Sequence, residues 1–309
     1  MPIPLTSDTQ LLQAAIGHHN AGELAEAEVV CRQILSRKPN HSDAMHLLGV
    51  IAMQGRKFDV AVDWISRAIA VDPTKPVYHE SLAEAYQQSG KLIQAAEYLR
   101  RASQLDPGSI NALSKLAFIE RELGHLDAAI NALSSVSRLQ PNRAEVHNNL
   151  GVCLKDVGRH GDAIREFSHA IRLRPNYVDA YINLGKTLAA AERNDEAIAA
   201  FEQATRIDPN NAKSHHSLGL AFVAKKQTEE AIRSWRRALQ LAPNFAEAYS
   251  DLGNALRITG QTDEAIEACC QALRLRPGFA SAAVNLGRAM IDKGHVNEAI
   301  VSYRQALLV

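Results

Sequence analysis

The chain is poor in the features that build disulfide scaffolds, membrane spans and charged binding surfaces. Its 309 residues include four cysteines, Cys31, Cys153, Cys269 and Cys270, without metal-ligand spacing or the even framework of a short secreted domain. A reducing, cytoplasmic setting is expected. No stretch approaches 18 consecutive apolar residues, and the opening MPIPLTSDTQ has neither a charged n-region nor an apolar run, so neither a membrane span nor a secretory signal is expected. Basic and acidic residues number 34 each, which gives zero formal charge and no electrostatic footprint for nucleic acid. There is no G-x-S-x-G, no H-E-x-x-H and no glycine-rich strand-to-helix turn. Neither catalysis nor a cofactor is expected of these residues.

What the chain does have is a period. Pro39, Pro73, Pro107, Pro141, Pro175, Pro209, Pro243 and Pro277 recur at a spacing of 34 residues. The same interval separates Ala27, Ala61, Ala95, Ala129, Ala163, Ala197, Ala231, Ala265 and Ala299, so nine units follow one another without insertion. Alanine at that place predicts two helices in close approach, where added methylenes would cost about 1–3 kcal/mol of overpacking. The preceding helix carries Leu48-Gly49, Leu150-Gly151, Leu184-Gly185, Leu218-Gly219, Leu252-Gly253 and Leu286-Gly287, replaced by Leu82-Ala83 and Leu116-Ala117 in the third and fourth units. Glycine inside a helix costs about 1 kcal/mol against alanine, and close helix packing is the expected compensation. Cys31 and Cys269 fall where Phe167, Phe201, Trp235 and Tyr303 stand in other units, which predicts small core residues rather than reactive thiols.

Within the unit 178–211, Tyr181, Leu184, Gly185, Ala197, Phe201, Ala204 and Pro209 follow the order W-x2-L-G-x2-Y…A-x3-F…P, which resembles the tetratricopeptide repeat (TPR), a helix–turn–helix of 34 residues. The resemblance implies an all-α fold, a right-handed superhelical solenoid of antiparallel helix pairs stabilised by neighbour stacking. After a lead-in over 1–7, the expected repeats are 8–41, 42–75, 76–109, 110–143, 144–177, 178–211, 212–245, 246–279 and an incomplete 280–309. The first is degenerate, as terminal repeats often are. The last stops at Val309 with Ile300, Ala306 and Leu307 on faces that another element normally covers. A longer polypeptide is therefore expected, or else a second copy over that end.

The unit boundaries suggest caps. Asn40, Asn142, Asn176 and Asn244 follow the repeat proline, with Asp43, Glu145, Asp179 and Glu247 three residues on, the spacing of a capping box. Glu26, Asp162, Glu196, Glu230, Glu264 and Glu298 precede the repeat alanine, where the positive end of the second helix favours an acid. Gly185-Lys186-Thr187 imitates the end of a phosphate loop, but Ala180 replaces the required glycine and no strand precedes it. His18-His19 and His215-His216 point about 100° apart on a helix and lack a third ligand at helical spacing, so no metal is expected there.

Function is then expected on a surface. The resemblance implies that first helices line an inner face suited to extended peptides. The sixth position of each unit reads Gln13, Leu47, Ser81, Lys115, Asn149, Asn183, Ser217, Asp251 and Asn285. This row is similar to the asparagine ladder in the TPR arm of O-linked N-acetylglucosamine transferases, where amides, each both donor and acceptor, hold a peptide backbone. Asn149, Asn183, Ser217, Asp251 and Asn285 are the expected peptide-binding residues, the three asparagines facing solvent in the free protein, with Lys186, Asn254 and Arg288 one turn further on. A carboxylate clamp of lysine, asparagine and arginine in three successive repeats is not found. The expected function is a scaffold binding protein or peptide segments in the groove. The alternatives are the targeting arm of an O-linked glycosyltransferase whose catalytic domain lies beyond residue 309, or an assembly scaffold using the convex face. Neither nucleic acid nor membrane is an expected partner, and oligomeric state is not encoded in these patterns.

Overall fold

A computed structural model describes residues 7–307, so 1–6 of the lead-in and the last two residues of the ninth repeat lie outside the described residues. Among the described residues there are eighteen α-helices and no strand. The first helices of the pairs are α1 (Asp8–Asn20), α3 (Ser42–Gln54), α5 (Pro76–Gln88), α7 (Ile110–Glu122), α9 (Ala144–Asp156), α11 (Val178–Ala190), α13 (Ala212–Ala224), α15 (Ala246–Ile258) and α17 (Ala280–Asp292). The second helices are α2 (Leu24–Arg37), α4 (Phe58–Val71), α6 (Leu92–Leu105), α8 (Leu126–Leu139), α10 (His160–Leu173), α12 (Asn194–Ile207), α14 (Thr228–Leu241), α16 (Thr262–Leu275) and α18 (Val296–Leu307). They form two compact units. One holds α1–α8 and ends at Asn142, and the other begins at Arg143 and holds α9–α18.

Each pair is closed by a socket. The nine repeat alanines are all 0% exposed, seated where the two helices cross. Opposite them, a Cβ built on Gly151, Gly185, Gly219 or Gly287 would stand 2.7, 2.7, 2.4 or 2.6 Å from the rings of Phe167, Phe201, Trp235 or Tyr303. The glycine's helix penalty is offset by seating a large side chain against bare backbone, a burial worth about 1.5–3 kcal/mol. Cys269 takes the ring's place in its own repeat, with its Sγ 2.5 Å from the Cβ that Gly253 lacks, and it is 0% exposed, as is Cys31. Burial pushes the Cys31 thiol up to about 11 and the Cys269 thiol up to about 12, so both are inert packing groups.

In the first unit the packing between pairs centres on Met45, Ile65, Tyr78 and Leu82. In the second it centres on Ile182, Leu188 and Phe201 and on Ile232, Trp235, Leu252 and Leu256. The turn within each pair needs one residue with positive φ. Glycine supplies it six times, while Arg56, Glu192 and Lys226 adopt φ of 57°, 59° and 60°, a conformation costing a side-chain-bearing residue roughly 1–2 kcal/mol. The acids Glu26, Asp162, Glu196, Glu230, Glu264 and Glu298 do lie in the first turns of second helices.

The expected capping boxes at Asn40, Asn142, Asn176 and Asn244 do not form. The chain is still turning at those asparagines. The N-cap comes one residue later, at His41, Arg143, Tyr177 and Phe245, with φ of −84°, −100°, −83° and −86°. The following acid therefore occupies the second helical position, and three of the four are drawn sideways to a cation. Asp43 accepts from Lys75 and from the Tyr78 hydroxyl, Glu145 from Arg174 and Glu247 from Arg276. A capping box does form at α1, where Ser7 Oγ accepts from the Gln10 N–H at 3.2 Å and Gln10 Oε1 accepts from the Ser7 N–H at 3.0 Å.

Candidate functional site

The eight expected site residues all belong to the second unit, whose first helices include the touching neighbours α9 and α11, α11 and α13, and α15 and α17. This contact decides how the sixth-position row is used. Asn183 Nδ2 donates to Asn148 Oδ1 at 3.0 Å, and Asn285 Nδ2 donates to the carbonyl and hydroxyl oxygens of Ser250, both at 3.2 Å. Asp251 Oδ2 lies 2.8 Å from His216 Nε2. Each is a bond from a sixth position to the fifth position of the preceding repeat, 35 residues earlier. The first unit has one of the same kind, His46 Nε2 to Ser81 Oγ at 2.8 Å.

The expectation that the three asparagines face solvent is therefore corrected for Asn183 and Asn285. Ser217 is 4% exposed, and Asn183, Asp251 and Asn285 already staple neighbouring helices. The fifth and sixth positions meet because first helices stack directly on one another. Asn149, Lys186 and Arg288 are exposed, and Asn254 is half-buried.

Two features join these residues into a surface. On α13 and α15, the exposed apolar side chains of Leu220, Val223 and Ile258 surround a cavity of about 110 Å³ with Asp251, Asn254 and Trp235 in its wall. Asn254 Oδ1 is buried there and accepts no hydrogen bond from the described residues. A buried acceptor left unpaired costs about 1–3 kcal/mol, so its presence calls for a donor from elsewhere. His216 holds the wall in place, its imidazole 4.7 Å from the Phe245 ring and its carbonyl accepting from Trp235 Nε1 at 3.1 Å. On α9, α11 and α13, desolvation and the charges of Lys155 and Lys213 together hold the Lys186 ammonium below its usual range. Lys155 leans on Asp156 at 3.1 Å, while Lys186 and Lys213 have no carboxylate at ion-pair distance among the described residues. The sequence reading named Lys186 and Asn254 but missed Leu220, Val223 and Ile258. A shared signal existed, since Leu220 is the ninth residue of its repeat, as Lys186, Asn254 and Arg288 are of theirs.

The family comparisons bear on the fold. The TPR domain of cytochrome c-type biogenesis protein H matches residues 7–147, and four TPR models match 142–210, 200–233, 219–257 and 246–279. The chain is a tetratricopeptide-repeat protein. Among solved structures, this TPR protein is similar to MamA, at 26% identity over 56% of this chain and 94% of that one with a TM-score of 0.52. It also shares its fold with the C-terminal part of a TPR protein from Cytophaga hutchinsonii, at 18% identity over 78% and 99% of the two chains with a TM-score of 0.64. No curated protein matches it. The resemblance of its repeats to a glycosyltransferase arm finds no support in these matches.

Two side-chain clusters escaped the sequence reading. Glu120 of α7 is 0% exposed and accepts from Arg100 Nε at 2.9 Å, with His125 Nδ1 at 2.8 Å. Such a fully paired buried carboxylate is structural. His147 of α9 meets Glu166 and His169 of α10. The signal was Glu166-x-x-His169, two ligand-type residues on one helix face. No helix is long and apolar enough to cross a membrane among the described residues.

Proposed function

We propose that this TPR protein is an interaction scaffold that holds an extended peptide segment on the first-helix face of its second unit. The observation that carries the reading is Asn254 Oδ1, a buried acceptor without a donor among the described residues, set in the wall of an apolar cavity. A main-chain N–H of the peptide satisfies it, and an aliphatic side chain from the same peptide covers Leu220, Val223 and Ile258. Lys186 and Lys213 favour acidic residues elsewhere along the segment. Asn149 offers a further exposed amide, and Arg288 a further cation. Asn183, Asp251 and Asn285 hold the helices that present these groups. Because the groove supplies one anchor and diffuse charge, selectivity rests on a few positions of the peptide.

The test is an array of peptides pairing one leucine or isoleucine with flanking acids, followed by fluorescence anisotropy on the best binder. Asn254→Ala loses one net hydrogen bond, about 0.5–1.5 kcal/mol or up to tenfold in Kd. Ile258→Asp, at an exposed site, weakens binding further, while Lys115→Ala in the first unit leaves it unchanged. Equal binding by well-folded Asn254→Ala and Ile258→Asp proteins would remove this face from the function.

A further inference from the structure

The fifth repeat brings together three side chains that the peptide-binding reading does not use. His147 projects from the first turn of α9, and Glu166 and His169 project from the middle of α10. One donor atom from each lies within 4.8 Å of the other two. His147 Nδ1 stands 2.7 Å from Glu166 Oε2, and the two imidazole rings lie 4.0 Å apart between centroids. The side chain of His147 is 7% exposed and that of Glu166 is 27% exposed, so the group is half enclosed with one side open to solvent.

We propose that His147, Glu166 and His169 form a binding site for a divalent first-row transition cation of the zinc class. Two imidazoles and one carboxylate are a donor set that such cations take with a water in the fourth position. Glu166 and His169 are three residues apart, the spacing by which Glu-x-x-His projects both ligands from one helix in bundle metal sites. A tetrahedral cation with bonds near 2.0–2.1 Å holds its ligand atoms roughly 3.3 Å apart. The observed separations, from 2.7 Å up to 4.8 Å, bracket that value, so rotations of Glu166 and His169 suffice.

Without a cation, the 2.7 Å contact between Nδ1 and Oε2 needs one shared proton. A cation bound through Nδ1 takes the place of that hydrogen bond. Two other repeats act as internal comparisons. His79 and His215 occupy the same repeat position as His147, and each uses Nε2 to bond the carbonyl of Pro73 or Pro209 at 3.0 Å. At the places of Glu166 and His169 those repeats carry Tyr98 and Arg101, or Ser234 and Arg237. Of the three histidines, only His147 has two further ligands.

The experiment is titration of the full, untagged chain with zinc chloride by isothermal calorimetry in two buffers of different ionisation enthalpy, repeated with cobalt(II) for its tetrahedral absorption. The expected result is one tight equivalent, the same in both buffers, and a rise in Tm. Glu166→Gln, which keeps the side-chain volume, and His169→Ala should each weaken that equivalent at least tenfold, while His215→Ala leaves it intact. The double change Glu166→Tyr with His169→Arg copies the third repeat, so it should fold and bind no zinc at this affinity. Absence of a stoichiometric site in the parent chain, or a site unaffected by Glu166→Gln and by the double change, would overturn the proposal. Peptide binding is read separately and does not depend on this result.

Discussion

The two units join successive repeats with a different balance of side-chain chemistry. In the first unit most joints are built on carboxylates, beside the neutral pair of His46 with Ser81. Asp43 accepts from Lys75 and Tyr78, Glu80 from Ser109 and Asn111, and Glu84 from Lys115 at 2.7 Å. In the second unit amides and hydroxyls join Asn148 with Asn183 and Ser250 with Asn285, while acids meet histidine or arginine, as Asp251 with His216, Asp292 with Arg257, Glu145 with Arg174 and Glu247 with Arg276. These second-unit joints are closed by amides, histidine or arginine and consume no lysine. Lys186 and Lys213 therefore keep charge on a face that also carries the Leu220, Val223 and Ile258 patch, whereas Lys75 and Lys115 are occupied. One repeat can thus serve as framework or as binding surface according to which side chains close the joint.

That contrast can be broken most forcefully through pH. Burial, reinforced by Lys75 and opposed by Asp43, pushes the His46 imidazole down to about 4. In the unfolded chain a histidine takes up its proton near pH 6.5. Between those values the unfolded state holds the extra proton, so the stability of the first unit falls as pH drops from about 6.5 to 4. The loss is up to about 3 kcal/mol. Chemical denaturation at stepped pH should show this slope, and His46→Gln should flatten it.

The sockets distinguish the units next. Gly219→Ala drives a Cβ into the Trp235 indole at 2.4 Å, and Gly49→Ala meets the Ile65 side chain at 2.3 Å. The rigid indole has less room to yield, so about 2–3 kcal/mol is expected at Gly219 and about 1 kcal/mol at Gly49. Equal midpoint shifts in urea would show that the two sockets are equally plastic. A smaller effect should come from charge. Lys186→Glu should weaken an acidic peptide about tenfold in low salt and much less at 0.5 M salt, while Lys115→Glu in the first unit should leave affinity alone. The smallest effect is a gain. Glycine in place of Glu192 or Lys226 relieves a left-handed side-chain-bearing residue and should stabilise the second unit by about 1 kcal/mol, as Arg56→Gly should in the first. Unchanged or lower Tm values would mean that these side chains make compensating contacts.

Much of the fold was legible because its determinants are local and repeated. The buried alanines, the socket glycines and the small thiols at Cys31 and Cys269 each follow from one position and its partner in the same repeat. The helix starts were misplaced by one residue at Asn40, Asn142, Asn176 and Asn244, because asparagine is as good in a turn as at an N-cap and the letters do not distinguish the two. The candidate surface was legible only in part. Residues of the sixth position looked free because their partners are the fifth position of another repeat, a pairing invisible within any single unit. Leu220 was marked only by sharing the ninth position with Lys186, Asn254 and Arg288, and nothing local marked Val223 and Ile258 as exposed, since the same apolar letters elsewhere are core. His147 sits 19 residues before Glu166, and only the antiparallel turn of α9 into α10 makes them neighbours.

The bonds between residues 35 apart also bear on how such a chain can change. A socket lies wholly inside one repeat, so duplicating or moving that repeat carries the socket with it. A joint is divided between two repeats, and its halves differ: Asn148 needs an amide ahead of it, His216 an acid, Ser250 a donor. Neighbouring repeats therefore have to agree in kind. Moving the eighth repeat to follow the fifth would set Asp251 beside Asn148 and remove the partner of His216. The order of the repeats is itself encoded in the chain, and permutation would test it more severely than any point substitution.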